Sequence, residues 1–356
     1  MFDINIHKCL KRFLKHIFCG VGANSPYDNS DFAHLLSDAA EHQDFLTNTS
    51  KRVDGPTGET LFNRLDDTSL DKIKAAFYFI MTQIFPLIKR FMRNRKFALA
   101  FDITDQPYFG KITGFWIHTN KPVRGSKGCF KYLTVSIVDG NERLIMGSLP
   151  IRIGQDLVAL ILELLQSARK FIQTETILFD RGFDNYRLVE ALQKMGIQYQ
   201  ILWRKDKWTN KILKKMKRNG RKEVIAMKAY TYTKSKHKVK VRFVLIKGYK
   251  RYKNSHTYNW VFVTNIRRRW NHLYVDKYKM RWGIETVFRV LDGIEIKTTT
   301  RNEIYRYFLN IFCCILYNLW KCAKMLGCIL TLKNFVAKIV ADLRTNCARI
   351  MLMDSS

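Results

Sequence analysis

Acidic side chains are scarce in this chain, 30 against 62 lysines and arginines, so those that stand beside apolar runs carry weight. Asp102 follows Phe97-Ala-Leu-Ala-Phe101 and precedes Ile103-Thr104. Asp180 follows Thr176-Ile-Leu-Phe179 and precedes Arg181-Gly182-Phe183. Open α/β sheets place their catalytic groups at the carboxyl ends of strands. A third acid, Glu285, lies in a helical segment where Tyr278, Arg281, Glu285, Arg289 and Asp292 share one face, with Ile284, Val287 and Leu291 as a core stripe opposite. Two aspartates and a glutamate make an oxygen-only set suited to Mg²⁺. Two such ions suit phosphoryl transfer, because one activates the attacking oxygen and the other stabilises the leaving oxygen. An isolated Asp at a strand end more often caps a turn, and an Arg near a Glu is commonly a surface ion pair. Trp282 and Tyr278 beside that pair, next to the most basic stretch of the chain, favour a site. Asp105 and Asp184 compete for the two aspartate roles. Asp105 precedes Pro107 in a turn setting, and Asp184 reads as the N-cap of the next helix.

The elements that must position these residues follow from periodicity. Residues 1–95 read as a helical N-terminal region, DNA-binding or dimerising, with helices over Phe32–Phe45 and Leu70–Met92 separated by the turn-rich 54–58. Residues 96–202 read as the first part of an α/β core. Strands are expected at Phe97–Ile103, Ile112–His118, Tyr132–Val138 and Arg143–Leu149. A helix near Gln155–Ile172, the short apolar strand Thr176–Phe179, a helix over Asp184–Met195 and a strand at Ile197–Trp203 follow. Residues 203–265 read as a basic, strand-rich insertion ending in the strand Trp260–Thr264, and residues 266–356 as the C-terminal helices of the core. Without the insertion this is the element order of the ribonuclease-H-like fold, a mixed sheet flanked by helices.

The net charge is +32, and its distribution is uneven. Residues 1–95 carry 13 basic and 11 acidic side chains, and residues 96–202 carry 13 and 10. Residues 203–254 carry 20 and 2, and the remainder 16 and 7. More than half of the excess therefore lies in the insertion, interleaved with Trp203, Trp208, Tyr230, Tyr232, Phe243, Tyr249 and Tyr252. Lys238, Lys240 and Arg242 alternate with valines and Phe243, which predicts a strand with one basic and one buried face. Such a surface fits contact with the phosphate backbone of nucleic acid. The 47% hydrophobic content excludes a disordered polycation. The cysteines show no metal-ligand spacing and point to a reducing compartment. The two most apolar stretches, Ala75–Ile88 and Tyr307–Trp320, are too short to span a bilayer.

At the third acid the chain resembles a known family. Tyr278-Lys-Met-Arg281-Trp-Gly-Ile-Glu285 resembles the Tyr-x2-Arg-x3-Glu-x6-Lys signature of DDE transposases of the insertion-sequence-four group. The run through Asp292, with Tyr317-Asn318-Leu319-Trp320 downstream, looks similar too. Phe101-Asp102-Ile-Thr104 and Leu178-Phe-Asp180-Arg-Gly-Phe183 resemble the family's first two catalytic blocks. The resemblance spans residues 97–320 and implies a ribonuclease-H-like catalytic domain in which Asp102, Asp180 and Glu285 are catalytic and hold two Mg²⁺ or Mn²⁺ ions. Tyr278 and Arg281 would contact DNA phosphate, with Trp282 and Arg289 on the same helix. The implied reaction is hydrolytic nicking at the ends of an insertion sequence, then attack of the 3′-hydroxyl on target DNA. The implied partners are double-stranded DNA, as terminal inverted repeats and target, and a second copy of the chain; the setting is cytoplasmic, on the nucleoid, with no membrane. Asp292 departs from the signature, which has Lys there; Arg289 and Lys297 are the candidate substitutes. The competing readings are a metal-dependent nuclease of the same fold, a non-catalytic DNA-binding protein derived from a transposase, and a basic RNA- or ribosome-associated protein.

Overall fold

The structure, a computed structural model, describes residues 5–18, 25–92, 95–140, 143–231, 238–250, 257–268 and 272–354. Five helices come first: α1 (Ile6–Ile17), α2 (Asn29–His42), α3 (Leu46–Arg52), α4 (Gly58–Leu65) and α5 (Leu70–Met92). Three strands follow, β1 (Lys96–Tyr108), β2 (Gly128–Ile137) and β3 (Ile145–Pro150). Next come α6 (Leu157–Ala168), β4 (Gln173–Phe179), a 3₁₀ turn at Arg181–Phe183, α7 (Tyr186–Lys194) and β5 (Tyr199–Leu202). The basic segment supplies α8 (Lys207–Arg218), β6 (Glu223–Thr231), β7 (Lys238–Lys250) and β8 (Thr257–Thr264). The chain closes with α9 (His272–Lys279), α10 (Trp282–Leu291), a 3₁₀ turn at Asp292–Ile294, α11 (Glu303–Met325) and α12 (Leu332–Asp354).

All eight strands form one mixed sheet in the order β3-β2-β1-β4-β5-β8-β7-β6. β1, β4 and β5 are parallel, β2 and β8 run against them, and β7 runs with them again. The strands of the basic segment thus extend the sheet through β5–β8 pairing.

The alternation of β1 sorts the two faces. Leu99 and Phe101 pack into the large core with Phe179, Ile177 and Ile201, and α6, α7 and α11 lie on that side. Ala98 and Ala100 point the other way and pack with Leu178, Val138 and Ile284. Small residues there let α10 approach the sheet closely. Gly283 has the same role: a Cβ on it would stand 3.1 Å from Val138 Cβ, tighter than packed side chains tolerate. On the same face α9 packs Tyr274, Val275 and Tyr278 against Leu202, Val244, Ile246, Trp260 and Phe262.

The N-terminal and C-terminal helices share a layer. α1 packs on α2 and α5, α2 on α12, and α5 on α11; Phe13 of α1 stacks on Phe308 of α11 at 5.9 Å. Both apolar stretches are interior helices, and no helix among the described residues is long and apolar enough to cross a membrane. Six cysteines, Cys9, Cys129, Cys313, Cys314, Cys322 and Cys328, are free and buried.

Several sequence expectations need correction. Ile112–His118 is no strand; only an isolated His118–Cys129 bridge forms there, because Gly114 and Gly125 take positive φ and turn the chain. β1 runs on to Tyr108, so Asp105 is a strand residue, salt-bridged to Lys131 at 2.9 Å, and not a turn residue. The N-cap of α7 is Asn185, not Asp184; its side chain accepts from Arg187 N. The basic segment contains a helix, α8, whose Leu213 and Met216 are buried at helical spacing.

Candidate active site

Register brings the two aspartates together. The β1–β4 ladder ends at Phe101↔Phe179, so Asp102 and Asp180 are the next residues on adjacent parallel strands, whose spacing is about 4.8 Å. Asp102 has the parity of Ala98 and Ala100, and Asp180 that of Leu178, so both belong to the face covered by α9 and α10. Each carboxylate is fixed by the next backbone amide: Asp102 Oδ1 accepts from Ile103 N at 2.9 Å and Asp180 Oδ1 from Arg181 N at 2.5 Å. Asp180 is also the N-cap of the 3₁₀ turn. The turn-cap and site readings of this residue therefore coexist.

The third acid arrives from the helix above. The chain from Tyr278 to Glu285 is not one continuous helix. α9 stops at Lys279 and α10 starts at Trp282, and the junction is tightened into i→i−3 bonds, Arg281 N to Tyr278 O at 3.0 Å and Gly283 N to Met280 O at 2.9 Å. That junction drops Arg281 into the space between the acids. Its Nη1 donates to Asp102 Oδ2 at 3.1 Å, and its Nη2 donates to Glu285 Oε1. Tyr278 donates from its hydroxyl to Asp180 Oδ1 at 3.4 Å. Asp102, Asp180, Glu285, Tyr278 and Arg281 thus form one connected cluster.

Its electrostatics are those of a site short of positive charge. Burial pushes the Asp102 carboxyl up to about 6; Arg281 opposes the shift, while Asp180 and Glu285 reinforce it. Burial works against the Arg281 charge, yet the surrounding Tyr278, Asp102, Asp180 and Glu285 hold the guanidinium firmly protonated. Burial also keeps the Tyr278 hydroxyl protonated. Arg281 is 5% exposed, and its Nε is buried with no hydrogen-bond partner. A buried guanidinium with an unused donor is incompletely satisfied.

The acids fit a divalent cation by donor type, being three carboxylates on one face. They do not converge on a single point. Among the described residues, the one trio of potential ligands within 4.8 Å of one another is Asp38, Glu41 and His42, in α2, where Arg52 already binds Asp38 at 2.7 Å. In the acid cluster Arg281 occupies the intervening space as an internal counter-ion.

The other residues singled out from the sequence are placed differently. Trp282 is half-buried at the start of α10, and Arg289 is exposed one turn beyond Glu285. Asp292 borders a small cavity with Thr104, Gln106, Phe288 and Glu295. Lys240 and Arg242 do not join the acids. They lie towards the start of β7, at the opposite end of the sheet, since β7 runs parallel to β4 and β5. Arg242 is a packing residue there: it donates to the Ile266 carbonyl and, at 3.1 Å, to the Tyr274 hydroxyl. Lys238 opens β7, but its side chain lies outside the described residues, as do those of Tyr230, Tyr232, Tyr249 and Tyr252. Trp203, Trp208 and Phe243 of the basic segment pack together: Trp203 and Trp208 meet Phe243 edge-on at 5.8 and 5.0 Å.

Sequence reasoning missed the cations beside the acids. Arg181 follows Asp180 directly and donates to the Tyr258 hydroxyl at 2.8 Å. Lys205 lies 4.1 Å from the centre of the same ring. The signal was present, since Arg181 and Lys205 lie two and three residues beyond the apolar strands β4 and β5.

Comparison with known proteins identifies the family and the fold. Residues 114–319, more than half of the chain, match the family described as transposase DDE domain. Asp180 and Glu285 lie within that span and Asp102 just ahead of it. No curated protein matches the chain. Among solved structures, the chain is similar to piggyBac transposase, seen by cryo-EM in a synaptic complex with hairpin DNA. The TM-score is 0.56 and the identity 13%, covering 99% of this chain and 80% of that one. The likeness is one of fold, a mixed sheet flanked by helices. With the family match added, the chain belongs to the transposase DDE domain family.

Proposed function

We propose that this chain is a DNA transposase of the insertion-sequence-four type, which cuts the ends of its element and joins the freed 3′-hydroxyl to target DNA. The observation that carries the reading is the single cluster in which strand register pairs Asp102 with Asp180 and Arg281 ties Asp102 to Glu285. Asp102, Asp180 and Glu285 would hold two Mg²⁺ or Mn²⁺ ions, which supply activation of the attacking oxygen and charge stabilisation of the leaving oxygen. Cutting and joining are both in-line displacements at phosphorus, so one acid cluster serves both.

The chain's own residues have definable tasks. Arg281 neutralises two of the three acids while DNA is absent. When a phosphate enters, the guanidinium gains a ligand it can bind in bidentate fashion, and the carboxylates are released for cations. Its unpartnered Nε favours such a move. Tyr278 holds Asp180 in place and borders the same phosphate position. The short junction between α9 and α10 sets both side chains, so their spacing to the acids depends on backbone geometry and not on flexible loops. Two copies acting on paired ends would bring two such clusters to the target.

The test is incubation of the full chain with duplex DNA flanking its reading frame, in Mg²⁺, with mapping of cut and joined products. Cuts at terminal inverted repeats followed by 3′-end joining support the reading. Cleavage without joining points to a nuclease of the same fold, and DNA binding without cleavage to a non-catalytic descendant.

A further inference from the structure

The two ends of the sheet carry cations of different kinds. At the end away from the acids, Lys240 and Arg267 are exposed, but several of the described cations are spent internally. Glu175, near the start of β4, takes Lys277 at 2.6 Å and Arg268 at 3.9 Å, and Arg242 is bound to Ile266 and Tyr274. At the acid end Arg281 and Lys131 are closed by carboxylates, whereas two other cations meet an aromatic group or water. Arg181 is exposed and bonds a tyrosine hydroxyl, and Lys205 is exposed above the same ring. Arg204 does pair with an acid, Asp184, at 3.3 Å.

Strand direction extends this row. The acid end contains the carboxyl ends of β4, β5 and β7 and the amino ends of β8 and β6. Reading across it, Asp102 and Asp180 are followed by Arg181, then Lys205 after β5, Tyr258 at the start of β8, Lys247 near the end of β7 and Lys222 just before β6. The last two are tied by Lys247 N donating to Lys222 O at 2.8 Å. Glu223 is the acid that follows Lys222, and burial raises its carboxyl towards the neutral form. From β4 to β6 there are four strand spacings, about 19 Å at roughly 4.8 Å each.

We infer that this row, Arg181–Lys205–Lys247–Lys222, is the track on which the phosphate backbone of the duplex lies as it leaves the acid cluster, with Tyr258 as the residue that positions its mouth. Tyr258 holds Arg181 by its hydroxyl and Lys205 by its ring, and it contacts Trp260 edge-on at 5.0 Å. Trp260 in turn packs on Tyr278 at 5.8 Å, and Tyr278 touches Asp180. One aromatic stack thus sets the track and the acid cluster in fixed relation. The inference rests on the transposase reading for its ligand and goes beyond it in naming the surface.

The test is binding of flanking duplex DNA to the full chain by fluorescence anisotropy over a range of salt, without divalent metal, so that cleavage plays no part. The acid-end set Arg181→Gln, Lys205→Gln, Lys222→Gln and Lys247→Gln is compared with a far-end set, Lys238→Gln, Lys240→Gln and Arg267→Gln, each checked for an unchanged melting temperature. The acid-end set should weaken binding at least tenfold and flatten the salt slope by about 0.9 for each phosphate contact removed. The far-end set should change affinity less than about threefold, a change expected from long-range charge alone. Tyr258→Phe, which keeps the ring and loses the hydroxyl, should weaken binding less than Tyr258→Leu, which loses both holds. Equal losses from the two sets, or a larger loss from the far-end set, overturn the track while leaving the transposase reading intact. A wild-type chain that binds no duplex DNA overturns both.

Discussion

The two ends of the sheet make opposite use of charge. At the far end, Lys277, Arg268 and Arg242 act as structural groups, closed by a carboxylate, carbonyl or hydroxyl from a neighbouring element. At the acid end the carboxylates are the closed groups, held by Arg281 and by backbone amides, while Arg181 and Lys205 face solvent. Within the densest run of positive charge, Arg242 is spent on packing while Lys205 and Lys222 are exposed, so the run as a whole is a coarse guide to a DNA surface. For the track inferred above, what counts is which cations strand direction brings to the acid end of the sheet, in a protein of net +32.

The largest effect that could break this comparison is on chemistry. Asp102→Asn, Asp180→Asn and Glu285→Gln should each lower DNA cleavage by roughly a thousandfold, as expected when a metal ligand and its several kcal/mol of charge stabilisation are lost. Binding of flanking DNA should stay within a few-fold of wild type. Full cleavage by the Glu285 variant would remove α10 from the site.

Stability comes next. The folded Asp102 carboxyl titrates near 6 against 3.8 for the ordinary group. A carboxylate raised in this way favours the folded state when protonated, so its ionisation destabilises the metal-free fold above about pH 6, and the penalty fades as pH falls towards 4. Asp102→Asn should therefore raise metal-free stability at pH 7 by up to about 2 to 3 kcal/mol, with little effect at pH 4, read from urea unfolding at both pH values. A destabilised Asn variant at pH 7 would mean that the bond to Arg281 outweighs burial.

Arg281→Gln sharpens the role of the internal counter-ion. Without DNA, the variant should gain more melting temperature from Mn²⁺ than wild type does, since no guanidinium competes with the cation. It should also bind flanking DNA about tenfold more weakly, a charge-assisted phosphate contact being lost. An unchanged response to Mn²⁺ would show that Arg281 does not compete for the acids. The smallest effect is expected at the far end. Arg242→Gln should lower stability by about 1 to 2 kcal/mol through the lost bonds to Ile266 and Tyr274, and leave the salt slope of DNA binding unaltered.

The legibility of the molecule divides along the same line. Phe97–Phe101 and Thr176–Phe179 were readable as strands because a chain alternating Phe, Leu and Ala, or wholly apolar over four residues, has few other ways to bury itself. The expected strand at Ile112–His118 failed because Gly114 within it and Gly125 beyond it turn the chain despite its apolar content. The one-face pattern from Tyr278 to Asp292 was readable as helical. The break at Met280–Arg281 was not, although it is what aims Arg281 between the acids, because a single 3₁₀ junction leaves no periodic trace.

By itself, the sequence determined the three acids, their attachment to two apolar strands and a helix, and the chain's excess of positive charge. Those features are local, depending on residue type and on spacings of two or three to four. Only the tertiary structure decided that Asp102 and Asp180 stand side by side, that small Ala98, Ala100 and Gly283 let Glu285 come down over them, and that the basic segment joins the same sheet with Lys240 at the far end and Lys205 at the acid end. Register and strand direction are relations between segments far apart in the chain, and no local pattern encodes which end of a strand lies beside the chemistry.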